Sequence, residues 1–152
     1  MKSSQILLLI SVCALFACTA GEKKNEIEGV WELVSAKYTT PDTTFERTQA
    51  DWTAIKIITS SHFATVGQKP DRPKFGGEIT DSDYINAYNT FSANGGTYTL
   101  EGDTYTEHLR FFSNPNRVNE SASIKYQFDG DQLILSTEAG DVIWREVWSR
   151  VK

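Results

Sequence analysis

Apolar and polar residues alternate with a period of two through most of this chain, and that period predicts strands. Gly29-Val-Trp-Glu-Leu-Val-Ser-Ala36 reads as the first strand, and the Thr-, Pro-, Asp- and Gln-containing stretch 39–51 as a loop. Ala54-Ile-Lys-Ile-Ile-Thr59 reads as the second strand, and Ser60-Ser61 turns it into a third, His62-Phe-Ala-Thr-Val-Gly67. Residues 68–77 carry Pro and Gly and form a loop. The period then changes. Thr80 or Asp81 caps a helix at about 81–91, whose apolar residues Tyr84, Ile85, Tyr88 and Phe91 share one face, and Asn94-Gly95-Gly96 ends it.

Five further strands follow as a meander: Thr97–Leu100, Thr104–Phe112, Ala122–Phe128, Gln132–Thr137 and Val142–Val151. Gly102, Gly130 and Gly140 mark turns between them, and Asn114-Pro115-Asn116 opens a loop. The expected fold is therefore all-β: an eight-stranded antiparallel up-and-down barrel with one short helix between strands 3 and 4. Closing eight strands on themselves removes the exposed edges. An interior of that size is either filled by side chains or holds one small ligand.

Alternation also assigns faces. Trp144, Glu146, Trp148 and Arg150 share one side of the last strand, and Tyr105, Glu107, Leu109 and Phe111 one side of the fifth. Tyr98 with Leu100, Ile124 with Tyr126 and Phe128, and Leu133 with Leu135 complete the inward set. This interior is aromatic yet contains two carboxylates, Glu107 and Glu146. A buried charge needs a partner, for which Arg150 or tyrosine hydroxyls are the candidates. The candidate ligand site is thus Tyr98, Tyr105, Glu107, Tyr126, Trp144 and Glu146.

The N-terminus is an address rather than part of the fold. Ile6–Ala17 is an apolar run too short to span a bilayer, which takes about 20 residues, but of the length of a secretory signal core. Leu15-Phe16-Ala17-Cys18 resembles the processing box of bacterial lipoproteins. That resemblance implies a signal peptide over residues 1–17, a diacylglyceride on Cys18 and stable anchoring by acyl chains such as palmitate. Residues 18–27 then form the lipidated Cys and a tether, and 28–152 the barrel domain. Thr19 is not the Asp that retains some lipoproteins at the inner membrane, so the implied location is the outer membrane, facing the periplasm.

Composition narrows the function. The 152 residues carry 15 Lys+Arg against 20 Asp+Glu, a net charge of −5, with no basic cluster to favour nucleic acid. Two Cys and two His cannot build a disulfide scaffold or a Cys-rich zinc site. A metal site from His62, His108 and Glu107 is disfavoured because neighbours 107 and 108 point to opposite faces. Glu107 and Glu146 as an acid/base pair lack any accompanying catalytic motif, and no phosphate loop or dinucleotide fingerprint is present. No enzyme activity, cofactor or metal is expected.

Gly29-Val30-Trp31 at the first strand, with Arg150 near the end of the last, resembles the calycin superfamily of lipocalin-like barrels. There the Trp closes the barrel floor beneath a late Arg. The stretches Ile55–Thr59 with Ser61–Ala64, Gly95–His108 and Glu146–Arg150 resemble a narrower group of small lipocalin-like lipoproteins of Gram-negative bacteria. The resemblance implies a membrane-anchored protein binding a small apolar or amphipathic ligand in its barrel. The alternative is an envelope interaction or structural protein with a filled core.

Overall fold

The protein is described by a computed structural model over residues 25–139 and 141–152. The processing box and Cys18 lie outside the described residues. The strands are β1 (Gly29–Thr39), β2 (Thr44–Thr48), β3 (Thr53–Ile58), β4 (His62–Gln68), β5 (Phe91–Glu101), β6 (Thr104–Phe112), β7 (Ser121–Asp129), β8 (Gln132–Ala139) and β9 (Val142–Arg150). One helix, α1 (Asp81–Asn89), precedes β5. All pairings are antiparallel in the order β2-β1-β3-β4-β5-β6-β7-β8-β9, and β1 also pairs with β9. Eight strands therefore close into a barrel.

The ninth strand falls where the sequence predicts a loop. Thr44–Thr48 pairs with Thr39–Ser35, while β3 pairs with the other end of the same edge, Gly29–Glu32. β1 is long enough to hold two partners on one edge, so β2 becomes a flap above β3. The helix consequently lies between strands 4 and 5 rather than 3 and 4. A capping box between Thr80 and Asp83 starts it, and none of its residues is buried.

A second difference concerns Gly95 and Gly96. They do not stop a helix; they lie inside β5, which begins at Phe91. The pairing of β5 with β6 slips between them, so Gly95 faces Phe111 and Gly96 faces Leu109. The extra residue, Arg110, forms a bulge that reverses the alternation. A Cβ on Gly96 would overlap the carbonyl oxygen of His108, so the bulge needs glycine there. Its effect is to turn Phe111 outward, 70% exposed, where the alternation alone puts it inside.

The end of the barrel holding the N-terminus of β1 is its floor. Trp31 is fully buried and donates from Nε1 to the carbonyl of Ile27 at 2.9 Å. The Arg150 guanidinium stacks 4.0 Å above the Trp31 ring and donates to the carbonyls of Glu28 and Glu26 at 2.7 and 2.6 Å. A cation on an indole face contributes roughly 0.5–2 kcal/mol. Residues 25–28 are therefore pinned across the floor, and Ile27 is fully buried. The tether expected through residue 27 ends earlier for that reason. Above the floor, Trp31 packs on Phe128, and Tyr105 packs on Phe63 and Tyr98. This lower half is filled.

Candidate functional site

The upper half is open. The strands that place Trp31, Ile58, Phe63 and Tyr98 low in the barrel place Ala36, Ala54, Gly67 and Ser92 high in it. Small side chains at those positions leave a cavity of about 730 Å³. Its walls are Tyr38, Phe45, Trp52 and Trp144, and its base includes Glu146 and Trp148. Arg47, Asp51, Lys69, Asp71 and Tyr88 also line it, so the flap and the segment before β5 form its mouth. Arg72 ties that segment together, stacking on Phe91 and donating to the carbonyl of Ala87.

The cavity wall carries buried polar atoms with no hydrogen-bond partner among the described residues: Thr65 Oγ1, Asn94 Oδ1 and Trp144 Nε1. Most buried polar atoms in folded proteins are paired, and each unpaired one costs about 1–3 kcal/mol.

Beneath the cavity lies a buried ion pair. Lys56 Nζ stands 2.6 Å from Glu107 Oε1, with the two residues 3% and 5% exposed. Lys56 comes from β3 and Glu107 from β6, so the pair bridges the barrel interior. The partner of Glu107 is thus Lys56, not Arg150, whose guanidinium is committed to the floor carbonyls. Lys56 Nζ also lies 5.4 to 5.7 Å from the ring centres of Phe63, Tyr105 and Trp148.

Glu146 is the second interior carboxylate. Its Oε2 accepts from Trp148 Nε1 at 2.8 Å, and among the described residues it joins no salt bridge. Burial pushes its carboxyl up to about 7; Lys56 and the Trp148 hydrogen bond pull the other way, and Glu107 adds to the rise. Burial also raises the Tyr38 hydroxyl, with the Glu146 charge contributing. The Tyr105 hydroxyl is raised by burial and then by Glu107.

Of the six expected site residues, the structure brings Trp144 and Glu146 to the cavity. The other four belong to the filled half. Tyr98 donates to the Thr59 carbonyl at 2.6 Å, Tyr126 to the Gly102 carbonyl at 3.3 Å, Tyr105 is fully buried, and Glu107 is paired with Lys56. Gly29, Trp31 and Arg150 stand together at the floor; a Cβ on Gly29 would overlap the guanidinium of Arg150. Sequence reasoning missed Tyr38, Trp52, Thr65 and Asn94. Alternation along β4 points Phe63, Thr65 and Gly67 the same way, which was the available signal for Thr65. His62 and His108 bond instead to the serines Ser61 and Ser121, and among the described residues no cluster of three or more His, Cys, Asp or Glu could hold a metal ion.

A closed antiparallel barrel with a plugged floor and an aromatic, partly polar cavity at the other end is the class these features define. The chain belongs to the family described as "Domain of unknown function (DUF4488)", which it matches over residues 26–152. It is also similar to an uncharacterized protein from Bacteroides eggerthii DSM 20697 of known crystal structure. The identity is 12%, the match covers 82% of this chain and 98% of that one, and the TM-score is 0.44. No curated protein matches it.

Lys56→Met alone strands the Glu107 charge and is expected to lower stability by about 3–5 kcal/mol in urea unfolding, with Lys56→Met/Glu107→Leu recovering most of the loss. Equal losses in the single and double variants would remove the ion pair as the cause. Glu146 generates a pH prediction. Its native carboxyl keeps its proton up to about 7, whereas the unfolded one releases it near 4.5. Stability from this group is therefore full below about 4.5 and is lost as pH rises through about 7. Glu146→Gln stays neutral throughout, so thermal unfolding should find it more stable than wild type by about 1–3 kcal/mol above that window and similar below it. An identical pH slope in both proteins would contradict this.

Proposed function

We propose that this protein is a lipocalin-like binding module, anchored to the cell envelope through a lipid on Cys18, that takes a small amphipathic molecule into the upper half of its barrel. The observation that carries this reading is the cavity of about 730 Å³, walled by aromatic rings and with the Glu146 carboxyl at its base. Small-molecule sites are generally concave, with volumes of about 300–1,000 Å³. The Arg150–Trp31 stack over a plugged floor supports the likeness to calycins. The Leu15–Cys18 box supports lipidation, and Thr19 supports an outer-membrane anchor facing the periplasm. The reading includes no enzymatic step, no cofactor and no nucleic acid partner.

A second reading, an envelope interaction protein, has one observation in its favour. Register aligns Val30, Ile57, Ala64, Gly95 and Phe111 across the outside of β1, β3, β4, β5 and β6. Four of these five are exposed.

The two readings part in titration with the neutral apolar probe N-phenyl-1-naphthylamine. Cavity binding predicts saturable quenching of tryptophan fluorescence, weakened by Trp144→Ala, and a rise in stability of about 2.7 kcal/mol at a hundredfold excess over Kd. No saturation and no shift in melting would favour the outer surface. For the anchor, Cys18→Ser should move the protein from the membrane fraction to the soluble periplasmic fraction. Unchanged membrane partition of that variant would remove the lipid from the proposal.

A further inference from the structure

The interior charges of the barrel do not balance. Among the described residues, Lys56, from β3, is the single cation facing Glu107 from β6 and Glu146 from β9, and at 2.6 Å it is committed to Glu107. With both carboxylates ionised, this cluster carries one excess negative charge in a low-dielectric interior. Of its three members only Glu146 reaches the cavity.

The other groups packed against Glu146 supply no positive charge. Ala36 of β1 and Leu135 of β8 are its strand partners, Tyr38 of β1 is neutral, and Trp148 donates a single hydrogen bond to Oε2. Charges of both signs, Arg47 and Lys69 with Asp51 and Asp71, line the same cavity and approximately cancel. Arg47 is engaged with aromatic faces, 5.0 Å from the Phe45 ring centre and 5.5 Å from that of Trp52.

The surroundings of Glu146 also favour a cation. Trp144 stands two residues away on the same strand face, with its ring 6.4 Å from that of Tyr38. Aromatic faces beside a carboxylate attract ammonium groups.

Resting on the binding reading above, we propose that the ligand is an amphipathic amine, whose ammonium group pairs with the Glu146 carboxylate at the base of the cavity while its apolar part lies against the aromatic walls. The ligand then supplies the cation that the Lys56–Glu107–Glu146 cluster lacks. Where Glu146 enters the encounter protonated, its carboxyl releases one proton to solvent as the ammonium binds, and the ammonium keeps its own. Binding is therefore coupled to pH, and affinity weakens as pH falls below about 7.

The test compares decylamine, decanol and decanoate, each below its micelle concentration, by calorimetric titration into the purified protein. Each has ten carbons, and the head group is cationic, neutral and anionic in turn. Decylamine is expected to bind wild type at least about tenfold more tightly than decanol, about 1.4 kcal/mol, with decanoate weakest. Glu146→Gln should erase the amine preference and its pH dependence, with circular dichroism and a cooperative thermal transition reporting that the variant is folded. Should decylamine bind no better than decanol, or keep its advantage in Glu146→Gln, the ammonium site is refuted while the binding module stands. If none of the three binds, the binding module itself falls and this inference with it.

Discussion

The seam between β1 and β9 is the constraint on which the rest of the molecule depends. A sheet of this length left open would present two rows of unpaired backbone groups. Pairing Trp31 through Thr39 with Arg150 through Ile143 removes one edge from each strand and fixes the ring. The same register brings Arg150 over Trp31, and the guanidinium in turn gathers the carbonyls of Glu26 and Glu28 beneath the barrel. Closure of the wall and closure of the floor are thus one event.

Once the ring is closed, side-chain size along each strand determines how much of the interior remains free. Large residues fill the interior toward the floor, while Ala36, Ala54, Gly67 and Ser92 leave space between the aromatic walls toward the mouth. A barrel with large side chains at both levels would be a solid core of native density. Here the difference divides the interior into a packed part that stabilises and an open part, to which the proposed binding is assigned. The ion pair of Lys56 and Glu107 lies where the two parts meet. Pairs of this kind add little net stability compared with apolar residues of the same volume. The consequence here is local: among the described residues, the pair consumes the one interior cation near Glu146.

Glu146 shows how one group can connect stability with recognition. Its burial favours the neutral carboxyl, and a ligand cation would favour the ionised one. The same desolvation that makes the empty site costly to charge makes a pairing inside it strong, because opposite charges attract more in a poorly polarisable interior. The aromatic walls contribute both apolar contact and a negative ring face.

Alternating polarity and turn residues were enough to reveal the strands, their antiparallel order and the closed barrel, because those properties are local and periodic. They also brought Trp144 and Glu146 to the interior, since the last strand keeps its period without a break, whereas the placing of Trp31 beneath Arg150 was implied by the resemblance to lipocalin-like barrels. Three features belonged to the tertiary structure alone. The outward turn of Phe111 follows from a bulge that Gly96 permits, and alternation carries no mark of an inserted residue. β2 exists because β1 is longer than its partner β3 and leaves part of an edge unpaired. Lys56 faces inward between Ala54 and Ile58 while Ile55 and Ile57 face out, against hydrophobicity, because register with β4 and the demand of Glu107 across the barrel outweigh the preference of two isoleucines. Whether an interior is hollow depends on which sizes meet across a closed ring, and only the fold brings those distant positions to one level.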